Sequence, residues 1–256
     1  MDVHSETRRR SRKAERRARL LEGARKIVAE EGVDALTLGR LARDFDLVPA
    51  ALYRYFASKD ALIAELQRHT LEALHPRFLA AVTPPDAPNG VPAPNGAPNG
   101  KTAPNHETAP NHERAANHDA LAALLRAGDF YLALPQTDPE AYRLITALIG
   151  DPRPLVSDAE ARVTAPALMA FLNDVQQLLA RARREGTLTP GSDMQRALVL
   201  WASLQGVCQL GKLARFDRAT FDVTALGRHS LDTLLMGWGA THEALASTRT
   251  HSCAES

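Results

Sequence analysis

The 256-residue chain carries 45% apolar and 24% charged side chains, a balance that builds a packed core and excludes a wholly disordered protein. Aromatic residues make up only 5%, and Ala, Leu and Arg dominate, which predicts helices rather than sheets. The formal net charge of +1 excludes a uniformly basic or acidic protein, but the charge is unevenly placed: residues 1–70 hold 15 Lys/Arg against 11 Asp/Glu, a balance of +4, leaving −3 for residues 71–256. Two cysteines, Cys208 and Cys253, give neither a disulfide framework nor metal-ligand spacing, so no metal and no cofactor is expected. The longest apolar run, Leu198–Leu210, is interrupted by Ser203, Gln205 and Gln209, and the N-terminus has no hydrophobic stretch. The expectation is a cytoplasmic protein without membrane association.

Eight of the first nineteen residues are basic and three are acidic. Residues 1–14 read as a disordered basic arm, either merely solvated or aimed at a partner bearing phosphates. Leu20, Leu21, Ala24, Ile27 and Val28 then recur at helical spacing, and Gly32 stops that helix. Thr37 caps a short helix carrying Leu38, Leu41, Ala42 and Phe45. After a break at Asp46-Leu47-Val48, Pro49 opens a very short helix over Pro49–Phe56. Ser58 caps a further helix with Leu62, Ile63, Leu66 and Leu74 on one stripe.

Residues 84–118 repeat Pro-Asn-Gly and then Pro-Asn-His, with half of the chain's 16 prolines and almost no large apolar residue. Such a tract cannot offset the entropy of its own ordering and reads as a linker or surface loop. His106, His112 and His118 recur every six residues within it, a spacing that repeat expansion explains without a metal. Beyond the tract, helices are expected over Asp119–Leu134, 138–149, 158–185 (with Pro166 as a kink or the true start), Ser192–Arg215 and Asp222–Thr241, then a polar tail. The fold class is therefore all-α: an N-terminal three-helix domain with a helix-turn-helix over 15–75, then a larger C-terminal helical domain over 119–246.

The segment Leu36–Leu66 carries the function. Two short helices joined by a tight turn suit a major groove about 12 Å wide, provided the second helix keeps its apolar residues on one side. Leu52 and Phe56 face the core in that reading, leaving Pro49, Ala50, Ala51, Tyr53, Arg54 and Tyr55 outward. Tyrosine hydroxyls on one turn are good phosphate donors.

Thr37, Leu41-Ala42, Leu52-Tyr53-Arg54-Tyr55-Phe56, Lys59 and Leu62 stand in the register of the TetR family of bacterial regulators, which residues 15–75 resemble. The resemblance implies that Thr37 binds phosphate, that Tyr53 and Tyr55 clamp phosphates, and that Lys59 adds a charged contact. It places Pro49, Ala50 and Ala51 against base edges, and leaves Arg40 and Arg54 between phosphate and guanine. Two departures stand out: Asp46 occupies the turn position where the family has Gly, and Val48 the place of a Ser-type cap.

The resemblance further implies a homodimer on double-stranded, palindromic operator DNA. The last two expected helices would form its interface through Trp201, Leu204, Val207, Cys208, Leu231, Leu234, Leu235 and Trp238. Trp201-x-x-x-Gln205-Gly206 is similar to the Trp-x-x-x-His-Gly element of one TetR subgroup, with Gln for His. A small-molecule effector would sit among Phe130, Tyr131, Tyr142, Met169, Phe171 and Asn173. The implied activity is a repressor released by its effector; the alternative is a helix-turn-helix protein of architectural or recombination-accessory type without a ligand. Catalysis is not expected, because His229, Ser230 and Asp232 on one helix point apart and no glycine-rich phosphate loop or nucleophile elbow is present.

Deletion of residues 86–117 is expected to leave folding and dimerisation intact. Loss of either, by thermal melt or size-exclusion chromatography, would assign the tract a structural role.

Overall fold

The computed structural model describes residues 3–83, 119–147 and 156–254, and side chains within residues 7–250 of that set. The Pro-Asn tract with its three histidines, and Ile149, lie outside the described residues. Among the described residues every regular element is helical: α1 (Val3–Glu31), α2 (Leu38–Asp44), α3 (Pro49–Leu52), α4 (Lys59–Val82), α5 (Asp119–Thr137), α6 (Pro139–Ala147), α7 (Asp158–Arg184), α8 (Asp193–Leu210) with a 3-10 turn at Gly211–Arg215, α9 (Val223–Gly237) and α10 (His242–Ala254).

Most expected boundaries hold. Gly32 ends α1 with φ +89°, a left-handed conformation that a side chain would strain. Thr37, Ser192 and Asp222 cap α2, α8 and α9 with side-chain oxygens that accept backbone N–H bonds. Helix α7 runs through Pro166 from Asp158, so that proline is neither its start nor its end.

Three expectations are corrected. Residues 3–14 are helical rather than a disordered arm, as their Arg, Lys, Ala and Glu side chains favour. The second helix of the pair ends at Leu52, not Phe56, and continues as turns in which Tyr55 and Phe56 N–H both reach the Leu52 carbonyl. The polar tail expected after residue 246 instead continues a helix, α10, which begins at His242 and buries Ala244, Leu245 and Thr248.

The described helices form two compact units, residues 1–76 with 133–171 and residues 77–132 with 172–256, with the divisions falling inside α4, α5 and α7. This departs from the expected 15–75 and 119–246 domains. In the first unit the core joins Leu20, Ala24 and Val28 of α1, Leu41 and Ala42 of α2, Leu52, Phe56, Leu62, Ile63 and Leu66, and it also takes in Leu144 of α6. The Gln67 side chain donates to the Leu144 carbonyl at 3.4 Å, Thr164 donates to the Ala64 carbonyl at 3.1 Å, and Arg25 pairs with Glu140 at 3.0 Å. Thus α6 buttresses α1 and α4, and the first turns of α7 are tied to α4.

In the second unit, α5 and α9 approach through reciprocal glycines. A Cβ on Gly128 would lie 2.5 Å from Leu231, and one on Gly227 would lie 2.3 Å from Leu132. The buried Arg196 donates to the Thr189 carbonyl at 2.8 Å and stacks 5.5 Å from the Trp238 ring, fixing the start of α8 to the end of α9.

Gly227→Val should destabilise the protein by about 1–3 kcal/mol through overpacking against Leu132; an unchanged chemical-denaturation midpoint would show that the contact has room to relax.

Candidate nucleic-acid interface

Helix α2 starts at Thr37, whose hydroxyl accepts from Arg40 N–H at 3.0 Å. The turn after α2 is closed by Leu47 N–H on the Ala42 carbonyl at 2.8 Å and Asp46 N–H on Arg43 at 3.2 Å. Asp46 takes φ +51°, the left-handed conformation that the substitution for glycine demands, and one that Asp accepts better than most residues. Val48 then precedes α3 with no side-chain cap bond and 69% of its surface exposed. Helix α3 is held from outside: Leu52 and Phe56 are almost wholly buried in the core built by α1, α2 and α4.

That anchoring turns the other residues out. Pro49, Ala50, Tyr53 and Arg54 are exposed, and Ala51 is half-buried. Tyr53 keeps 60% of its surface. Tyr55 is half-buried against the core, its ring serving as packing. Lys59 begins α4 behind Ser58, whose hydroxyl accepts from Ala61 N–H at 3.0 Å. Arg40 is engaged by the protein: its Nη atoms donate to both Glu31 carboxylate oxygens at 2.8 and 3.1 Å, and its Nε donates to Asp44 at 3.3 Å. The hydrogen-bonded Glu31 carboxylate, then Asp44, pushes the Arg40 pKa above its usual value. Its geometry ties the end of α1 to α2.

A cavity of about 520 Å³ adjoins this segment, lined by Arg17, Tyr55, Phe56, Glu65, Arg68 and Glu160 among others. Arg17 pairs with Glu65 and lies 5.2 Å over the Phe56 ring, which pins the exit of the α3 turn to α1 and α4. None of the six expected effector contacts lines this cavity.

Those six divide between the units. In the first, Phe171 meets His75 edge-on at 5.0 Å, Tyr142 is half-buried and Met169 is 40% exposed. In the second, Phe130 meets Phe78 edge-on at 5.7 Å, Tyr131 donates its hydroxyl hydrogen to Gln205 Oε1, and Asn173 is exposed. Gln205 was not among the expected ligand contacts. It is 7% exposed, and its amide nitrogen has no hydrogen-bond partner. Its sequence signals were a glutamine inside an apolar helix and its place in the Trp201-x-x-x-Gln205-Gly206 element.

The expected dimer contacts also divide. Leu204, Cys208, Leu231 and Leu235 are buried in the second unit's own core, while Trp201, Val207, Leu234 and Trp238 are partly exposed. The outer face of α8 instead presents Leu198 at 42%, Val199 at 48% and Leu210 at 39%, and α9 presents Met236 at 39%. The stretch Asp193–Arg215 is long and apolar enough to cross a membrane by length and composition, with a mean hydropathy of 1.2, yet only 28% of that window is buried.

Residues 20–66 match the family model for bacterial regulatory proteins of the tetR family. No curated protein sequence matches the chain. Among solved structures, a tetR-family transcriptional regulator from Pectobacterium atrosepticum is similar at 19% identity and TM-score 0.56, covering 91% of this chain and 98% of that one. A transcriptional regulator from Saccharomonospora viridis, described as putative and solved with choline, aligns at 15% identity and TM-score 0.57 over 86% and 95% of the two chains. SmeT, the repressor of the Stenotrophomonas maltophilia multidrug efflux pump SmeDEF, aligns at 16% identity and TM-score 0.54 over 88% and 91%. At these identities the structural likeness establishes the fold.

Thr37→Ala should cost about 1 kcal/mol by removing the α2 cap, read as a lower denaturation midpoint; full retention of stability would show that solvent replaces the hydroxyl without loss.

Proposed function

The chain carries the N-terminal domain and the all-helical fold of the tetR family of bacterial transcriptional regulators, and on that premise we propose that it is a sequence-specific repressor released from operator DNA by a small-molecule effector. The observation that carries this reading is the α2–α3 pair, with Leu52 and Phe56 inward and Pro49, Ala50, Tyr53 and Arg54 outward. The small apolar surfaces of Pro49, Ala50 and Ala51 suit thymine methyls, while Thr37, Tyr53, Tyr55 and Lys59 supply phosphate donors around them. Arg54 is a further base or phosphate contact. Arg40 acts with Glu31 and Asp44 to position α2 instead.

The functional form is a homodimer. Helices α8 and α9 present Leu198, Val199, Leu210 and Met236, an apolar surface that a second copy would cover. Operator half-sites then lie about 34–36 Å apart or a multiple of that. The effector carries a hydrogen-bond acceptor, which Gln205 Nε2 meets beside Tyr131. Release follows if the effector favours a spacing of the two α3 helices that DNA does not accept. The protein works in the cytoplasm, on the nucleoid when bound to DNA.

Selection of bound genomic fragments tests the reading: one or a few palindromic sites are expected, and uniform coating of DNA would replace it with an architectural role. On the selected site, Tyr53→Phe should weaken binding, and Lys59→Ala should flatten the plot of log affinity against log salt by about one unit. Unchanged affinity and slope in both variants would remove these residues from the interface.

A further inference from the structure

Helix α1 is longer than its packing requires. It has 29 residues, about 44 Å at 1.5 Å per residue, yet among its described side chains, from Thr7 on, the first fully buried is Leu20. Residues 7–16 are all exposed, so no core contact fixes the choice of side chains there. Within that stretch and the turn after it stand Arg8, Arg9, Arg10, Arg12, Lys13, Arg16, Arg17 and Arg19, against the single acid Glu15. Arg8, Arg12, Arg16 and Arg19 follow one another at intervals of four, four and three residues, which places them on one face; Arg9 and Lys13 border it.

This charge does not help the helix. Like charges four apart repel, and cations near a helix N-terminus oppose the macrodipole. The stretch carries a local cost that a polyanion would remove. Its own unit supplies the context: α1 holds the α3 turn through Arg17, which pairs with Glu65 and stacks on Phe56.

We propose that the N-terminal turns of α1, through Arg8, Arg9, Arg12, Lys13 and Arg16, form a second DNA-binding surface that grips the phosphate backbone beside the site occupied by α3. The contact is to phosphates and reads no bases, so it raises affinity for every duplex alike and lengthens the footprint. Phosphate neutralisation also strengthens the helix, coupling its stability to DNA binding.

The inference rests on the DNA-binding reading of α2 and α3, and its test uses a mixed-sequence 40-base-pair duplex so that it fails separately. The full chain is compared with an Arg8→Gln, Arg9→Gln, Arg12→Gln, Lys13→Gln variant, glutamine being a comparable helix former. A control replaces the exposed Arg184, Lys212, Arg215 and Arg218 by Gln, an equal change of net charge in the other unit. Since the helix variant gives up four phosphate-binding cations per bound chain, its plot of log affinity against log salt should flatten by about 3–4 units, while the control keeps the slope of the full chain. Hydrogen exchange of residues 7–16 in the full chain should slow when duplex is added. A slope within one unit of the full chain, an equal loss in the control, or unchanged exchange would each overturn the proposal. If genomic selection finds no palindromic site while these slopes behave as expected, the repressor reading fails and this surface stands. Thermal melts without DNA, in which neither variant should melt below the full chain, guard against misfolding.

Discussion

Four residues cannot hold themselves in a helix. One turn fixes several backbone torsions for a single hydrogen bond, and α3 has neither a side-chain cap nor a second turn to offset that cost. Its existence therefore depends on two side chains, Leu52 and Phe56, driven into a core made by other helices. Burying those side chains contributes on the order of 1.5–3 kcal/mol each, more than a lone turn lacks. The other parts of the first unit serve this one placement: α1 and α4 clamp Phe56 through Arg17 and Glu65, α2 sets the turn, and Leu144 of α6 joins the core.

The turn at Asp46 shows the same economy. A left-handed residue other than glycine costs about 1–2 kcal/mol, and the turn keeps it because Leu47 and Asp46 amides both find carbonyls of α2. The short connection throws α3 out of line with α2 so that Pro49 and Ala50 face solvent. The neighbouring Arg40 could have joined that outward surface. Glu31 and Asp44 hold it to the protein, trading a cation for a stiff joint between α1 and α2.

Much of this is readable in the residues, for reasons that also explain what is not. The spacing of Leu20, Ala24 and Val28, the stop at Gly32 and the caps at Thr37 and Ser58 are local signals, and local structure obeys them. Tyr55 departs from its expected outward place because a tyrosine ring packs as well as it donates, and only the neighbouring core decides how much of it stays wet. Leu204 and Leu198 sit on the same helix with equal hydrophobicity; which one faces its own unit depends on α5 and α9, beyond the reach of periodicity on an apolar helix. Helix α10 is hard to see in the sequence because Leu245 is the one large side chain among those it buries, with the small Ala244 and Thr248 beside it. The grouping of α6 with the N-terminal helices has no sequence signal, since Leu144 is an ordinary core residue until its neighbours are known.

The reciprocal glycines of α5 and α9 carry a different sort of consequence. Each glycine exists to admit a leucine from the other helix, so Gly128 with Leu231 and Gly227 with Leu132 are two locks sharing one seam. A change on one side is compensated only by a matching change on the other, since the penalties of contacting residues do not add. During divergence these four positions would move as couplets, large for small and small for large. A table of aligned descendants would then show them as two correlated pairs, recording the α5–α9 seam in inheritance.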